Sequence, residues 1–193
     1  EYIMNLPYQD RHGNIYQVNL CAIDSGDQTE EVYDFCAINM EWAVPVKGSS
    51  NPLMTRYKIS TIDKVSSKAH GMRLYIVDTN QYKDMIAGRL KRLNGPGSWM
   101  VYKGCDREYA EQICSEEKVT ERKKNGAVVE VWKPKATHIA NHFLDAEVYA
   151  IAAADIMGVR TLHLEDEAPQ QHKKQEEQYA PEESWIKSNE EWI

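Results

Sequence analysis

Two apolar runs, each broken by a short polar turn and then replaced by helical spacing, constrain the fold of this chain most strongly. Residues 15–23, Ile-Tyr-Gln-Val-Asn-Leu-Cys-Ala-Ile, alternate and then become continuously apolar, which predicts a buried strand ending at Asp24-Ser25-Gly26-Asp27. Thr29 precedes Glu30-Glu31, acids that suit the positive end of a helix. Val32, Phe35, Cys36 and Asn39 then recur three and four apart. The second unit is a strand, Leu74-Tyr75-Ile76-Val77, followed after Asp78-Thr79-Asn80 by Tyr82, Met85, Ile86 and Leu90 on one helical face. Asn94-Gly95-Pro96-Gly97 stops that helix. Between the two units lies a strand over 42–47, where Pro45 predicts an edge position or a strand end. Strands alternating with helices predict an α/β layered fold.

The remaining segments are read the same way. Residues 48–70 are polar and predict a long loop. Trp99-Met100-Val101-Tyr102 predicts a short strand, and Arg107 to Cys114 a short helix. Lys123-Lys124-Asn125-Gly126 predicts a hairpin turn, with Val128 to Trp132 as the return strand. His138 to Met157 is the clearest helix, with Ile139, Phe143, Leu144, Val148, Ile151 and Ala152 inward and Gly158 ending it. The four cysteines, Cys21, Cys36, Cys105 and Cys114, contain no Cys-x-x-Cys pair and are read as reduced core residues. The start of the chain lacks a secretory pattern, and Val148 to Val159 is interrupted by Asp155 and too short to span a bilayer. The expectation is a protein that is neither secreted nor membrane-bound.

Charge separates a body from a tail. Of the net charge of −7, residues 165–193 hold −6, with nine acids against three lysines. Residues 1–164 form the predicted domain and are nearly neutral. A histone-like basic binder is excluded, but a phosphate-binding face is not. The tail reads as flexible, with Trp185 and Trp192 as anchors for a helix on a protein partner, or simply as a solubilising end.

Asp24 and Asp145 form the first candidate site. Asp24 ends a buried strand, and Asp145 sits among Leu144, Val148 and Ala152, where a carboxylate is costly to bury without compensation. Converging carboxylates select Mg²⁺ or Mn²⁺, and two such ions would suit phosphodiester hydrolysis. On the residues alone the plainer account is that Asp24 caps the following helix and Asp145 takes a local hydrogen bond. Lys47 at a strand end could meet a phosphate or simply face solvent. His138 and His142, one helical turn apart, suit support behind metal ligands or surface exposure rather than zinc. Lys103, Lys123, Lys124, Lys133 and Lys135 could track a DNA backbone or be solvated. No P-loop and no Gly-x-Ser-x-Gly elbow occurs.

Four segments in order resemble the C-terminal nuclease region of the large terminase subunit of lambda-like tailed bacteriophages. They are Ile23-Asp24-Ser25-Gly26 with Thr29-x-x-Val32-Tyr33-x-Phe35-Cys36, then Val46-Lys47-Gly48-Ser49, then Lys83-Asp84-x-Ile86-x-x-x-Leu90, and finally Asn141 to Ala153 around Leu144-Asp145. The match runs over about residues 12–157. The resemblance implies a ribonuclease-H-like mixed sheet flanked by helices, an endonuclease that cuts concatemeric viral DNA, and a two-metal Mg²⁺ or Mn²⁺ site. It implies Asp24 and Asp145 as metal-binding acids and Lys47 beside the phosphates. Lys83, Lys133 and Lys135 become further DNA contacts, with His142 and His138 behind the metal ligands. The implied partners are double-stranded DNA, the terminase small subunit and the portal or procapsid, in the cytoplasm of a bacterial host.

Two departures modify that expectation. Asn141-His142 stands where the family often has Asn-Glu. The family's first metal-binding aspartate, in a Gly-Val-Asp pattern, has no counterpart before Asp24. The resemblance therefore implies a piece of a larger protein whose sheet is incomplete and which alone cuts weakly or not at all. An exposed sheet edge would favour pairing between copies, a homo-oligomer. A portal- or capsid-binding module, or another ribonuclease-H-like nuclease such as a transposase or junction resolvase, is the alternative.

Overall fold

The computed structural model describes residues 3–161, apart from positions 11 and 125. Strands β1 (Tyr8–Gln9) and β2 (Ile15–Tyr16) form a small antiparallel pair. The central sheet is built from β3 (Cys21–Asp24), β4 (Ala43–Gly48), β5 (Tyr57–Thr61) and β6 (Arg73–Val77), in the order β3–β4–β6–β5. Strands β3, β4 and β6 run parallel, and β5 is antiparallel. Among the described residues, β3 is a sheet edge.

The helices lie on the two faces because side chains alternate along each strand. On one face, α1 (Thr29–Ile38) places Tyr33 and Ala37 against Ile62, Ala69 and Leu74. On the other, α2 (Thr79–Leu90) and α4 (His142–Ile156) bury Tyr82, Ile86, Leu144, Val148 and Ala152 against Val46, Tyr75 and Val77. Helix α3 (Arg107–Ile113) supports α4, and the hairpin of β7 (Glu116–Arg122) and β8 (Val128–Pro134) follows it. This is the expected α/β class, a mixed sheet flanked by helices, consistent with a ribonuclease-H-like arrangement.

Several boundaries differ from the sequence reading. The strand expected over 15–23 is two elements, and Ile15 and Tyr16 are exposed in the outer pair rather than buried. The expected loop over 48–70 contains β5, which pairs fully along β6 despite its polar composition. Residues 99–102 form no strand. Pro45 is on an interior strand, not an edge, and is tolerated because the β6 ladder begins one residue later, at Val46. The last helix begins at His142, so His138 and Ile139 precede it, and Phe143 is exposed rather than inward. Cysteines 21, 36, 105 and 114 are free thiols, and Cys114 is exposed rather than in the core. The hairpin is formed as expected, with a Lys123 N–H bond to the Ala127 carbonyl, although Asn125 lies outside the described residues. The tail, with Trp185 and Trp192, also lies outside them. No helix among the described residues is long and apolar enough to cross a membrane.

Candidate functional site

Asp24 is presented by the turn that ends β3. The fully buried Ser25 donates its backbone N–H and its hydroxyl to the Val46 carbonyl, each at 2.8 Å, and its own carbonyl accepts the Thr29 hydroxyl at 2.8 Å. The chain therefore turns sharply into α1. The Asp24 carboxylate accepts the Gly26 N–H at 2.9 Å. A Cβ at Gly26 would lie 3.1 Å from Asp24 Oδ1, so a side chain there would crowd the carboxylate. Asp24 pairs in register with Val46 and shares its face of the sheet, which carries α4.

Asp145 is presented by α4, and that helix is tied down along its length. Gln112 on α3 accepts the Phe143 N–H at 3.1 Å, in effect capping the helix from outside. Tyr109 donates to Glu147 at 2.6 Å, and Tyr82 donates to Asp155 at 2.9 Å. Burial, reinforced by that Glu147 carboxylate, pushes the Tyr109 phenol up to about 12. Leu144, Val148 and Ala152 form the buried row that faces the sheet. The next row, Asp145 and Tyr149, faces the edge of β3.

These two edges enclose a cleft of about 650 Å³, lined by residues 20–24 of β3 and its approach and by His142, Asp145, Tyr149 and neighbouring alanines of α4. Asp24 and Asp145, 121 positions apart in the chain, both line it. Burial raises the Asp145 pKa. The Lys83 charge and hydrogen bond oppose that rise, and the Glu116 and Asp24 charges add to it. Tyr149 is also raised, first by burial, then by the charges of Asp24 and Asp145 and a hydrogen bond to Asp24, with the Gly48 backbone acting against them. Gly48 lies beside that phenol, where a Cβ would stand in ordinary contact, 3.7 Å from the Tyr149 oxygen.

Behind Asp145 lies a second carboxylate. Glu116, the first residue of β7, receives the Lys83 ammonium at 2.8 Å on both of its oxygens, and Asn141 Nδ2 at 3.0 Å. The same ammonium lies 3.4 Å from Asp145 Oδ1. Charge thus runs from Glu116 through Lys83 to Asp145, and Asp145 shares the cleft with Asp24 and Tyr149.

The family described as terminase large subunit gpA, endonuclease domain, matches residues 1–166. The chain belongs to that family. No curated protein and no solved structure matches it.

In this terminase endonuclease domain the other expected site residues scatter. His142 opens α4 and lines the cleft, but His138 lines a separate cavity with Glu108, Glu111 and Gln112. The two histidines are therefore not neighbours on one helix face, because α4 starts later than its apolar pattern suggests. Alternation along β4 sends Lys47 to the face that carries α1, opposite Val46 and the acid pair. Lys83 is not an open DNA-tracking lysine, since its side chain is 11% exposed and ion-paired. Lys133 on β8 is bonded to Glu121 across the hairpin. Lys135 lines a different groove from the acid pair, one that it shares with Lys83, Glu116, Leu90, Lys91 and Trp132. Glu116 and Tyr149 were not expected at the site. Glu116 opens a strand after a short helix, where nothing in the local pattern marks a buried acid.

The donor set suits a hard divalent cation. Mg²⁺ is commonly held by one or two carboxylates, with water and substrate phosphate completing its shell. Asp24 and Asp145 supply those carboxylates on one cleft. Among the described residues no group of three or more His, Cys, Asp or Glu side chains is assembled to hold a metal.

Proposed function

We propose that this domain is a divalent-cation-dependent DNA endonuclease that cuts concatemeric phage DNA during packaging, with its reaction centre in the cleft between β3 and α4. The observation that carries this reading is the meeting of Asp24 and Asp145 on one cleft in a chain of the terminase endonuclease family. Asp24 and Asp145 would hold Mg²⁺ or Mn²⁺, which would supply a Lewis acid for phosphodiester hydrolysis.

The chain's own residues prepare that centre. The Gly26 N–H holds Asp24 at the rim, while the Lys83 ammonium stands 3.4 Å from Asp145. Asp145 is half-buried, so water screens its charge somewhat less than at the open surface. His142, exposed at the start of α4, lines the same cleft. Double-stranded DNA is the proposed substrate, and the terminase small subunit and portal the proposed partners of the protein that carries this domain.

The test is Asp145→Asn in the terminase large subunit that carries the domain, following Mn²⁺-dependent nicking of supercoiled plasmid. The expected loss is at least about a hundredfold, the scale of removing a group that acts mainly in the transition state. Undiminished cutting would overturn the assignment.

A further inference from the structure

We propose that Lys83 is the positioning residue of this cleft: clamped by Glu116, it fixes the Asp145 carboxylate and limits the cleft's negative charge, and so sets how tightly a divalent cation is taken. The inference rests on the reading of Asp24 and Asp145 as cation ligands and concerns what lies behind them.

The clamp draws on three elements. Lys83 comes from the middle of α2, Glu116 from the start of β7 and Asn141 from the residue before α4. Only 11% of the Lys83 side chain and 4% of the Glu116 side chain are exposed. Asn141 occupies the N-cap position of α4 yet makes no side-chain cap bond. Its amide is spent on Glu116 instead, and Gln112 takes over the capping. A buried ion pair of this kind is seldom more stabilising than an apolar pair of similar volume. Stability alone therefore does not account for three elements converging on one carboxylate. The direction of the ammonium does: with both Glu116 oxygens engaged, its remaining reach is toward Asp145 Oδ1 at 3.4 Å.

The electrostatic consequence has a definite sign. Glu116 and Asp145 repel each other, as do Asp24 and Asp145. Lys83 separates Glu116 from the cleft and leaves Asp24 and Asp145 as the acids a cation meets. Removing the ammonium bares Glu116 to the cleft and should tighten cation binding. Removing the Glu116 charge leaves the ammonium uncompensated beside Asp145 and should weaken it. A purely structural pair would change stability in both variants and cation affinity in neither.

Mn²⁺ binding to the full 193-residue chain, followed by the loss of its free-ion EPR signal, tests this. Lys83→Met should bind Mn²⁺ about tenfold more tightly and Glu116→Gln about tenfold more weakly, shifts that one uncompensated charge at this range readily produces. Lys83→Arg should stay within about twofold of the unmodified chain, because it keeps the charge. The double variant Lys83→Met/Glu116→Gln should return to within about threefold, because it restores charge balance. If Lys83→Met does not fold, Glu116→Gln and the double variant still decide. Equal affinities throughout, or shifts of one sign in both single variants, would overturn the inference. If Asp145→Asn abolishes Mn²⁺ binding while the Lys83 series is flat, only this inference fails. If Asp145→Asn leaves binding unchanged, the proposed function fails first.

Discussion

The Lys83 ammonium stands 2.8 Å from both oxygens of Glu116, thirty-three positions further along the chain. The contact joins α2, which packs on the sheet, to β7, which belongs to a hairpin outside that sheet. It is one of the polar links between α2 and the hairpin, beside those of Asp84 to Lys118 and Trp132, and it lies directly behind Asp145.

Breaking one half of this pair should cost more than removing both halves. Glu116→Ala leaves a mostly buried ammonium without its main partner, which typically costs about 3–5 kcal/mol. Lys83→Met/Glu116→Leu replaces the pair with apolar volume and should cost well under the sum of the two single changes. Urea unfolding of the unmodified chain, Lys83→Met, Glu116→Leu and their double variant, analysed as a double-mutant cycle, measures the coupling. Additive losses would show that the two side chains do not depend on each other.

Asp24 owes its orientation to the absence of a side chain at Gly26. A Cβ there would sit 3.1 Å from Oδ1 of Asp24, tighter than ordinary contact, and 3.6 Å from Oδ2. Gly26→Ala should shift the carboxylate by a few tenths of an ångström and weaken Mn²⁺ binding several-fold. The fold should change little, within about 1 kcal/mol, because position 26 is exposed. Titration of Mn²⁺ alongside a urea curve separates the two effects. A Gly26→Ala protein with unchanged Mn²⁺ affinity would show that Asp24 is not a ligand or that the turn yields freely.

The layered fold was legible because its core strands and helices carry strong periodicity: Leu74 to Val77 and Tyr82 to Leu90 appear nearly where they were read. Asp24 and Asp145 were legible as individually odd residues, an acid at a strand end and an acid beside an apolar helix row. Their meeting was not legible from spacing, because it depends on α4 crossing beside the edge strand β3. Strand β5 was hidden because Tyr57-Lys58-Ile59-Ser60-Thr61 is half polar, and it is exposed on most of its length. The misplaced histidine pair has a similar cause. Ile139 extends the apolar pattern of α4 backwards, but the chain has already turned there, with the Ile139 N–H bonded to the Ala136 carbonyl. Glu116 and Lys83 were missed because burial of a charge is decided by partners distant in sequence, and a local window contains none of them.

The ties that hold α4 should be separable from the cleft it serves. Tyr109→Phe removes a 2.6 Å bond to Glu147 on the side of α4 that faces α3, away from the acid pair. The expected loss is about 1.5–3 kcal/mol, as for a hydrogen bond to a charged group. Thermal or urea unfolding should show that loss while Mn²⁺ affinity stays within about twofold. A large fall in affinity would mean that the placing of Asp145 depends on this tie.

Asp145 makes a prediction about pH with a fixed sign. Burial raises its pKa above the ordinary 3.8. Lys83 on α2 opposes the rise, and Glu116 on β7 and Asp24 on β3 add to it. A carboxyl with a raised pKa holds its proton more tightly in the folded than in the unfolded state. Its charge therefore weakens the fold above the raised value, and that penalty disappears as pH falls below the unfolded one. In EDTA at pH 7, Asp145→Asn should have a higher Tm than the unmodified chain, and the difference should close by about pH 3. Saturating Mn²⁺ should reverse the order, because a ligand at a hundred times its Kd stabilises the protein that binds it by about 2.7 kcal/mol and leaves the variant unaffected. Melting curves at both pH values, with and without Mn²⁺, give all four numbers. A variant less stable than the unmodified chain in EDTA at pH 7 would mean that the Lys83 contact outweighs the burial cost. Failure of Mn²⁺ to reverse the order would remove Asp145 from the cation site.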